Sequence, residues 1–337
     1  MTSQLAPAGF ADTLTDMNTA ELRTLGKTSI KITPIGLGVW QFSGGKGFNR
    51  WIWKSLTEEN QDAIVLAALD GGINWFDTAE MYGSGKSERG LSQALQKAGA
   101  ADDDVVIADK WSPIGRTAAS IPKTIHKRRE NLAPYTIDLY QVHNPRSFSP
   151  PEDEMEEMAL LLVGGSIKAV GVSNFDAGQM LRAHGKLWTY GLPLASNQVK
   201  YSLLDREIES NGVLESARAL GVTIIAYTPL EWGLLTGKFH DNPDLVKKLP
   251  LARRVSIGRK LEESAPVINA LKEIAANYEV TPGQVALNWL IHFNGDCVVA
   301  IPGASKPRHA QESAGVMKFT LSEEELARLD ELTRQFR

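Results

Sequence analysis

The chain of 337 residues has a single cysteine, Cys297, so no disulfide can form within it and a reducing compartment is its expected home. The apolar neighbours Val298 and Val299 suggest that this thiol is buried. Histidine is nearly as sparse, and apart from His143 the residues at 126, 184, 240, 292 and 309 are scattered without ligand spacing. No His-x-His, His-Glu-x-x-His or paired-cysteine pattern occurs, so no metal site is expected. An excess of either charge is also missing. A formal net charge of −4 offers no polyanion-binding surface, which makes nucleic acid an unexpected partner. Met1 to Ala20 lacks a basic start, an apolar stretch and any arginine, unlike a secretory signal or a transit peptide. The expectation is a cytoplasmic protein with no membrane partner, opening on a disordered segment at residues 1–20.

No Gly-x-Gly-x-x-Gly follows a strand, so a Rossmann dinucleotide site is not supported. Gly83-Ser84-Gly85-Lys86-Ser87 looks like the end of a phosphate-binding loop, but the glycine required five residues before Gly85 is Glu80. A carboxylate there repels phosphate. The stretch reads as a flexible loop opening a helix. The basic run His126-Lys127-Arg128-Arg129, on a predicted helix, reads as a solvated face.

What is present is a recurring pattern of apolar runs that end in chemistry. Residues 72–83 form a strand-like run delivering Asp77, with Tyr82 on the loop beyond. Residues 104–108 lead to Asp109 and Lys110, and residues 137–142 lead to His143. Strand and helix patterns alternate along the chain, the rhythm of βα units. A hairpin is expected over residues 21–32 around Gly26-Lys27-Thr28-Ser29, and the first barrel strand at 35–40. Further strands are expected at 168–173, 196–200, 222–227 and 298–301. Helices are expected from an N-cap at Thr57, and at 86–97, 118–132, 151–164, 177–190 and 207–220. A final helix at 322–332 opens with a Ser322/Glu325 capping box.

Eight strands from Ile35 onward make an α/β protein, a single (β/α)8 TIM barrel with an N-terminal β-hairpin and additional C-terminal helices, spanning residues 21–337 as one domain. Residues 230–259 show no clear period and read as a long loop, of the kind that is either functional or disordered. The tryptophans of Trp51-Ile52-Trp53 either wall a substrate pocket or pack on a neighbouring helix. In such barrels the loops after strands seven and eight often bind phosphate; here they run from Thr228 to Lys238 and from Pro302 to Arg308.

In a parallel barrel the strand ends converge on one face, bringing Asp77, Tyr82, Lys110 and His143 together. In this order they resemble the catalytic tetrad of the aldo-keto reductases. The resemblance runs from Leu25-Gly26 to Ile301-Pro302-Gly303 through Gly36-Leu37-Gly38-Val39-Trp40, Gly171-Val172-Ser173-Asn174-Phe175, Asn197-Gln198-Val199-Lys200-Tyr201-Ser202 and Tyr227-Thr228-Pro229-Leu230.

The resemblance implies an oxidoreductase that uses NADPH (NADP+), with NADH possible, on a small-molecule aldehyde or ketone. It makes Asp77, Tyr82, Lys110 and His143 catalytic, with Tyr82 as the proton donor and Lys110 lowering its pKa. It assigns Ser173, Asn174 and Gln198 to the nicotinamide carboxamide and Tyr227 to stacking on that ring. Trp40 and Asp77 are counted with the coenzyme residues. Thr228, Leu230, Gly233, Thr236 and Lys238 match the pyrophosphate loop; Gly303, Ser305, Lys306, Arg308, Gln311 and Glu312 match the adenosine-phosphate end. Two positions depart from the commonest family pattern, Ser313 after Glu312 and His309 where a cation often stands, so the choice between NADP and NAD stays open. A nucleotide-sensing binding subunit of the same fold with little turnover is the alternative. The sequence is silent on substrate identity and assembly.

Overall fold

The computed structural model describes residues 21–44, 56–249 and 251–337. The expectations for residues 1–20 and for Trp51 to Trp53 lie outside the described residues. The chain starts with a hairpin of β1 (Arg23–Thr24) and β2 (Lys31–Ile32), pairing Arg23 with Ile32. Eight parallel strands follow: β3 (Leu37–Gly38), β4 (Trp75–Asp77), β5 (Val106–Trp111), β6 (Leu139–Val142), β7 (Ala169–Ser173), β8 (Leu194–Lys200), β9 (Thr223–Tyr227) and β10 (Val298–Ala300). Each pairs with the next in chain order. Hydrogen bonds from Gly36 N to Ala300 O (2.9 Å), Ala300 N to Pro34 O (3.0 Å) and Gly38 N to Pro302 O (3.2 Å) join the last strand to the first. The sheet thereby closes into a (β/α)8 barrel.

Helices α1 (Glu58–Asp70), α2 (Lys86–Lys97), α3 (Ile121–Leu132), α4 (Pro151–Val163), α5 (Ala177–Trp188) and α6 (Val213–Leu220) connect the strands from β3 to β9. Between β9 and β10 lie α7 (Lys238–Asp241), α8 (Asp244–Lys247), α9 (Leu251–Lys260), α10 (Ala265–Asn277) and α11 (Pro282–His292). The chain ends with α12 (Pro307–Gly315) and α13 (Glu323–Thr333). Thr57 caps α1 by accepting the amide of Asn60, and Ser322 with Glu325 forms the expected box on α13.

Two cores follow from the alternation of strand side chains. The smaller fills the barrel with Trp75, Ala108, Leu139, Ala169, Ala195, Ile225, Val299 and Ile301, joined by Leu25 and Ile32 of the hairpin. The larger lies between strands and helices. The hairpin is tied to the floor of the barrel by Arg23, which donates to Val298 O (2.5 Å) and Ile291 O (2.6 Å). Gly26 seats against the same floor: its φ is +54°, and a Cβ there would meet Ala195 O at 2.4 Å.

Several boundaries and environments differ from expectation. Trp40 leaves the first strand for a helical turn, Trp40–Ser43, ended by left-handed Gly44. Asp109 and Lys110 lie inside β5 rather than beyond it, on opposite faces of the strand. Residues 207–220 are split by left-handed Gly212 into a short turn and α6. Much of the expected loop at 230–259 is helical, in pieces too short to show a period. Cys297 is half-buried, because its strand begins one residue later. Arg128 is buried, not solvated: α3 turns it inward to pair with Glu88 (2.8 Å) and Glu80 (3.1 Å).

Candidate active site

Asp77 ends β4, Lys110 lies near the end of β5 and His143 directly follows β6, so adjacent strands carry three of the four groups to one mouth. Both Lys110 and Asp77 are buried, and Lys110 Nζ donates to Asp77 Oδ1 at 2.5 Å and to Thr78 O at 2.8 Å. The other oxygen of Asp77 accepts from Gln198 Nε2 at 2.8 Å. A buried ion pair held by further donors has one geometry available, which fixes the ammonium. Burial alone would depress the Lys110 pKa, but Asp77 and Tyr82 more than reverse it and hold the ammonium charged.

Tyr82 reaches the mouth from the loop after β4, and Lys110 Nζ lies 5.2 Å from its ring centre. Its ring stands edge-on to His143 at 5.5 Å and tilted to Trp40 at 6.1 Å. Burial raises the phenol pKa, Lys110 lowers it and Asp77 raises it, leaving the phenol above its ordinary value. Lys110 does lower it as expected, but with its charge partly offset by Asp77 the lowering does not outweigh desolvation, so the phenol does not fall below its ordinary value. Tyr82 keeps its proton through neutral pH. Burial, helped by the Lys110 charge, depresses His143 to about 3, so this ring is neutral. Its Nδ1 is buried without a hydrogen-bond partner, leaving Nε2 for the cleft.

The mouth opens into a cleft of about 990 Å3. Its lining includes Trp40, Asp77, Tyr82, His143, Ser173, Asn174, Gln198, Tyr227, Thr228, Leu230, Gly233, Thr236, Lys238, Gly303, Ser305, Arg308 and Glu312. Asn174 is held left-handed at φ 61° and donates to His143 O (3.2 Å) and Ser173 Oγ (3.0 Å) while accepting the Tyr227 hydroxyl (2.8 Å). Tyr227 thus has a satisfied hydroxyl and still lines the cleft. Lys306 and Gln311 are exposed and outside the lining. The helical period explains Gln311, because Arg308, His309, Glu312 and Ser313 occupy the cleft face of α12 and Gln311 falls on another.

The cleft also gathers residues that sequence reasoning missed, among them Gln41, Met81, Asn144, Pro145, Arg146, Trp232 and Thr281 to Gln284. Two signals were available. Asn144-Pro145-Arg146 directly follows His143 at a chemistry-bearing strand end, and Thr281/Gln284 form a capping box at the start of α11. The loop after β9 is strained, with φ of 53° at Thr228, 43° at Glu231 and 57° at Trp232. Buried Glu231 anchors it through Lys200 (3.1 Å) and Lys260 (3.0 Å).

The donor set suits a nicotinamide coenzyme: amide and hydroxyl groups of Ser173, Asn174 and Gln198 surround one end, and Lys238 and Arg308 supply positive charge among small residues toward the other. Among the described residues, no group of three His, Cys, Asp or Glu side chains is placed to hold a metal ion. Likewise, no helix among them is long and apolar enough to cross a membrane.

Fold and mouth together define a parallel α/β barrel equipped for chemistry at the C-terminal ends of its strands. The chain belongs to the aldo/keto reductase family, whose model matches residues 34–334. An uncharacterized oxidoreductase of Mycobacterium tuberculosis is 36% identical over 314 residues, covering 91% of each chain. A chloroplastic pyridoxal reductase of Arabidopsis thaliana is 31% identical over 317 residues, covering 89% of this chain and 83% of that one. Among solved structures, a Klebsiella pneumoniae aldo/keto reductase in complex with NADP and acetate is 27% identical with a TM-score of 0.70, covering 92% of this chain and 95% of that one.

Proposed function

We propose that the protein is an NADPH-dependent carbonyl reductase that converts an aldehyde or ketone to an alcohol. The observation that carries this reading is Lys110, locked between Asp77 and Thr78 and lying 5.2 Å from the centre of the Tyr82 ring. When bound, the nicotinamide supplies the hydride. Ser173, Asn174 and Gln198 hold its carboxamide, Tyr227 offers a flat face to the ring, and Lys238 and Arg308 meet the phosphates.

Neutral His143 and the Tyr82 hydroxyl orient the carbonyl oxygen. A phenol above its ordinary pKa is a weak donor to a ketone, but the oxygen becomes an alkoxide as reaction proceeds and then outcompetes tyrosinate for the proton. Lys110 stabilises the phenolate left behind, and Asp77 keeps Lys110 in place. The acid is therefore strong where charge develops and inert before it.

The test is single-turnover reduction with saturating NADPH. Tyr82→Phe removes the hydroxyl and keeps the ring, and should lose roughly 10²- to 10⁴-fold in rate with coenzyme binding retained. A near-parental rate would move the acid to His143 and sink this assignment. Tight coenzyme binding without reduction of any carbonyl compound in a panel would favour the nucleotide-sensing subunit instead.

A further inference from the structure

We propose that the substrate is an aldehyde or ketone bearing a carboxylate away from its carbonyl, and that Arg146 recognises that carboxylate. The inference rests on the reductase reading and assigns the substrate end of the same cleft.

Charge balance along the cleft carries the argument. Among the described residues two carboxylates line it, Asp77 and Glu312. Both are engaged, Asp77 by Lys110 at 2.5 Å and Glu312 by Arg308 at 3.3 Å. Lys238 and Arg308 lie in the part assigned to the coenzyme phosphates. Arg146 instead sits on the loop after β6, three residues beyond His143, and lines the cleft from there. Its guanidinium meets no carboxylate among the described residues. Such a group presents a rigid fork of N–H donors whose geometry matches a carboxylate.

The loop fixes the backbone that carries that fork. Asn174 holds the carbonyl of His143 at 3.2 Å, and the Arg146 amide donates back to Asn144 O at 2.9 Å. Pro145 between them has its φ set by its ring. Three residues span at most about 11 Å of backbone, so His143 and Arg146 enter the cleft from the same short stretch of chain. Aromatic rings packed on one another line the same cleft. Trp40 lies 6.1 Å from Tyr82 and 5.9 Å from Trp232, and Tyr82 lies 5.5 Å from His143, centre to centre.

The probes are 4-formylbenzoate and its methyl ester, which share a ring and differ in charge. The parent protein should favour the carboxylate in kcat/KM by roughly tenfold, the scale of one charge-assisted contact at an exposed arginine. Arg146→Met should bring the ratio close to one, Arg146→Lys should fall between, and added salt should shrink the parental ratio. Tryptophan fluorescence should report the same preference in binding of the two alcohol products to the NADP+ complex, without turnover. Reduction of both aldehydes with no carboxylate preference, or a preference that survives in Arg146→Met, overturns this inference and leaves the reductase reading standing. Failure to reduce either aldehyde overturns this inference, while the reductase reading then falls only if the wider carbonyl panel also shows no reduction.

Discussion

His143 should make the folded protein lose stability in acid in a way that one substitution removes. Its folded pKa is about 3, against an ordinary 6.5. Between those values the unfolded chain binds a proton at this position and the folded chain does not, so folding stability rises with pH through that window. The slope is about 1.4 kcal/mol per pH unit, and the whole interval amounts to roughly 5 kcal/mol. From pH 6.5 to 4.5 the loss is roughly 2 to 3 kcal/mol, while the slope from the imidazole is about half its full value at 6.5 and nearly gone by about 7.5. His143→Gln keeps a polar side chain that never takes the proton. Chemical denaturation at pH 7.5, 6.5, 5.5 and 4.5 should show the parent losing stability faster than the variant below 6.5, with the two approaching parallel behaviour by about 7.5. A constant offset between the two would reflect packing; the difference in slope is what matters. Equal slopes from 6.5 to 4.5 would refute a neutral, desolvated His143, and so would an imidazole resonance titrating near 6 in the folded protein. The same neutrality predicts that kcat/KM has no acid limb near 6.5 arising from this residue.

Buried Glu154 should act in the opposite sense. Burial raises it to about 7 from an ordinary 4.5, so stability is full below 4.5 and falls by roughly 3 kcal/mol as pH rises through 7. Glu154→Gln should flatten that decline in the same denaturation series, and identical declines would refute the assignment. Glu231→Gln removes the charge that Lys200 and Lys260 share and should destabilise by about 3 kcal/mol, with weaker coenzyme binding as the strained loop relaxes. Calorimetry and coenzyme titration check this, and unchanged values in both would show that the loop holds its shape without the anchor. Arg308→Ala should weaken NADPH by about 1 kcal/mol, the low end for an exposed cation, and leave NADH nearly unmoved. Equal losses for the two coenzymes would exclude Arg308 as the reader of the extra phosphate.

How much of this was legible follows the range of each signal. Strand period two places Asp77 and Lys110 on the inner face, and their position at strand ends places them at the mouth, so these two needed no tertiary information. Even here the strand boundary misled: Lys110 is held by strand pairing, and Asp109 beside it turns outward because neighbouring side chains alternate. The helical stretch around residues 238–260 was hidden for another reason. The four-residue pieces α7 and α8 are too short to express a period of 3.6, and left-handed Gly237, with φ of +79°, breaks the chain just before them, so that the ten-residue α9 follows an irregular stretch.

Arg128 and Tyr82 show what local signals leave out. Four consecutive basic or imidazole side chains on a helix cover its whole circumference, so one of them must face inward, where its fate depends on what the barrel side supplies. Here it supplies Glu88 on α2 and Glu80 between β4 and α2, and the inward residue becomes a buried cation. The sequence contains both acids but not their distance. The Tyr82 pKa depends on the same missing information, because a nearby lysine lowers a phenol only to the extent that burial and the lysine's own counter-ion permit. Asp77 offsets part of what Lys110 offers. The residues that make the site recognisable were therefore readable from type and spacing, while the balance that sets the Tyr82 pKa comes from burial and from the two charged groups that β4 and β5 bring beside it.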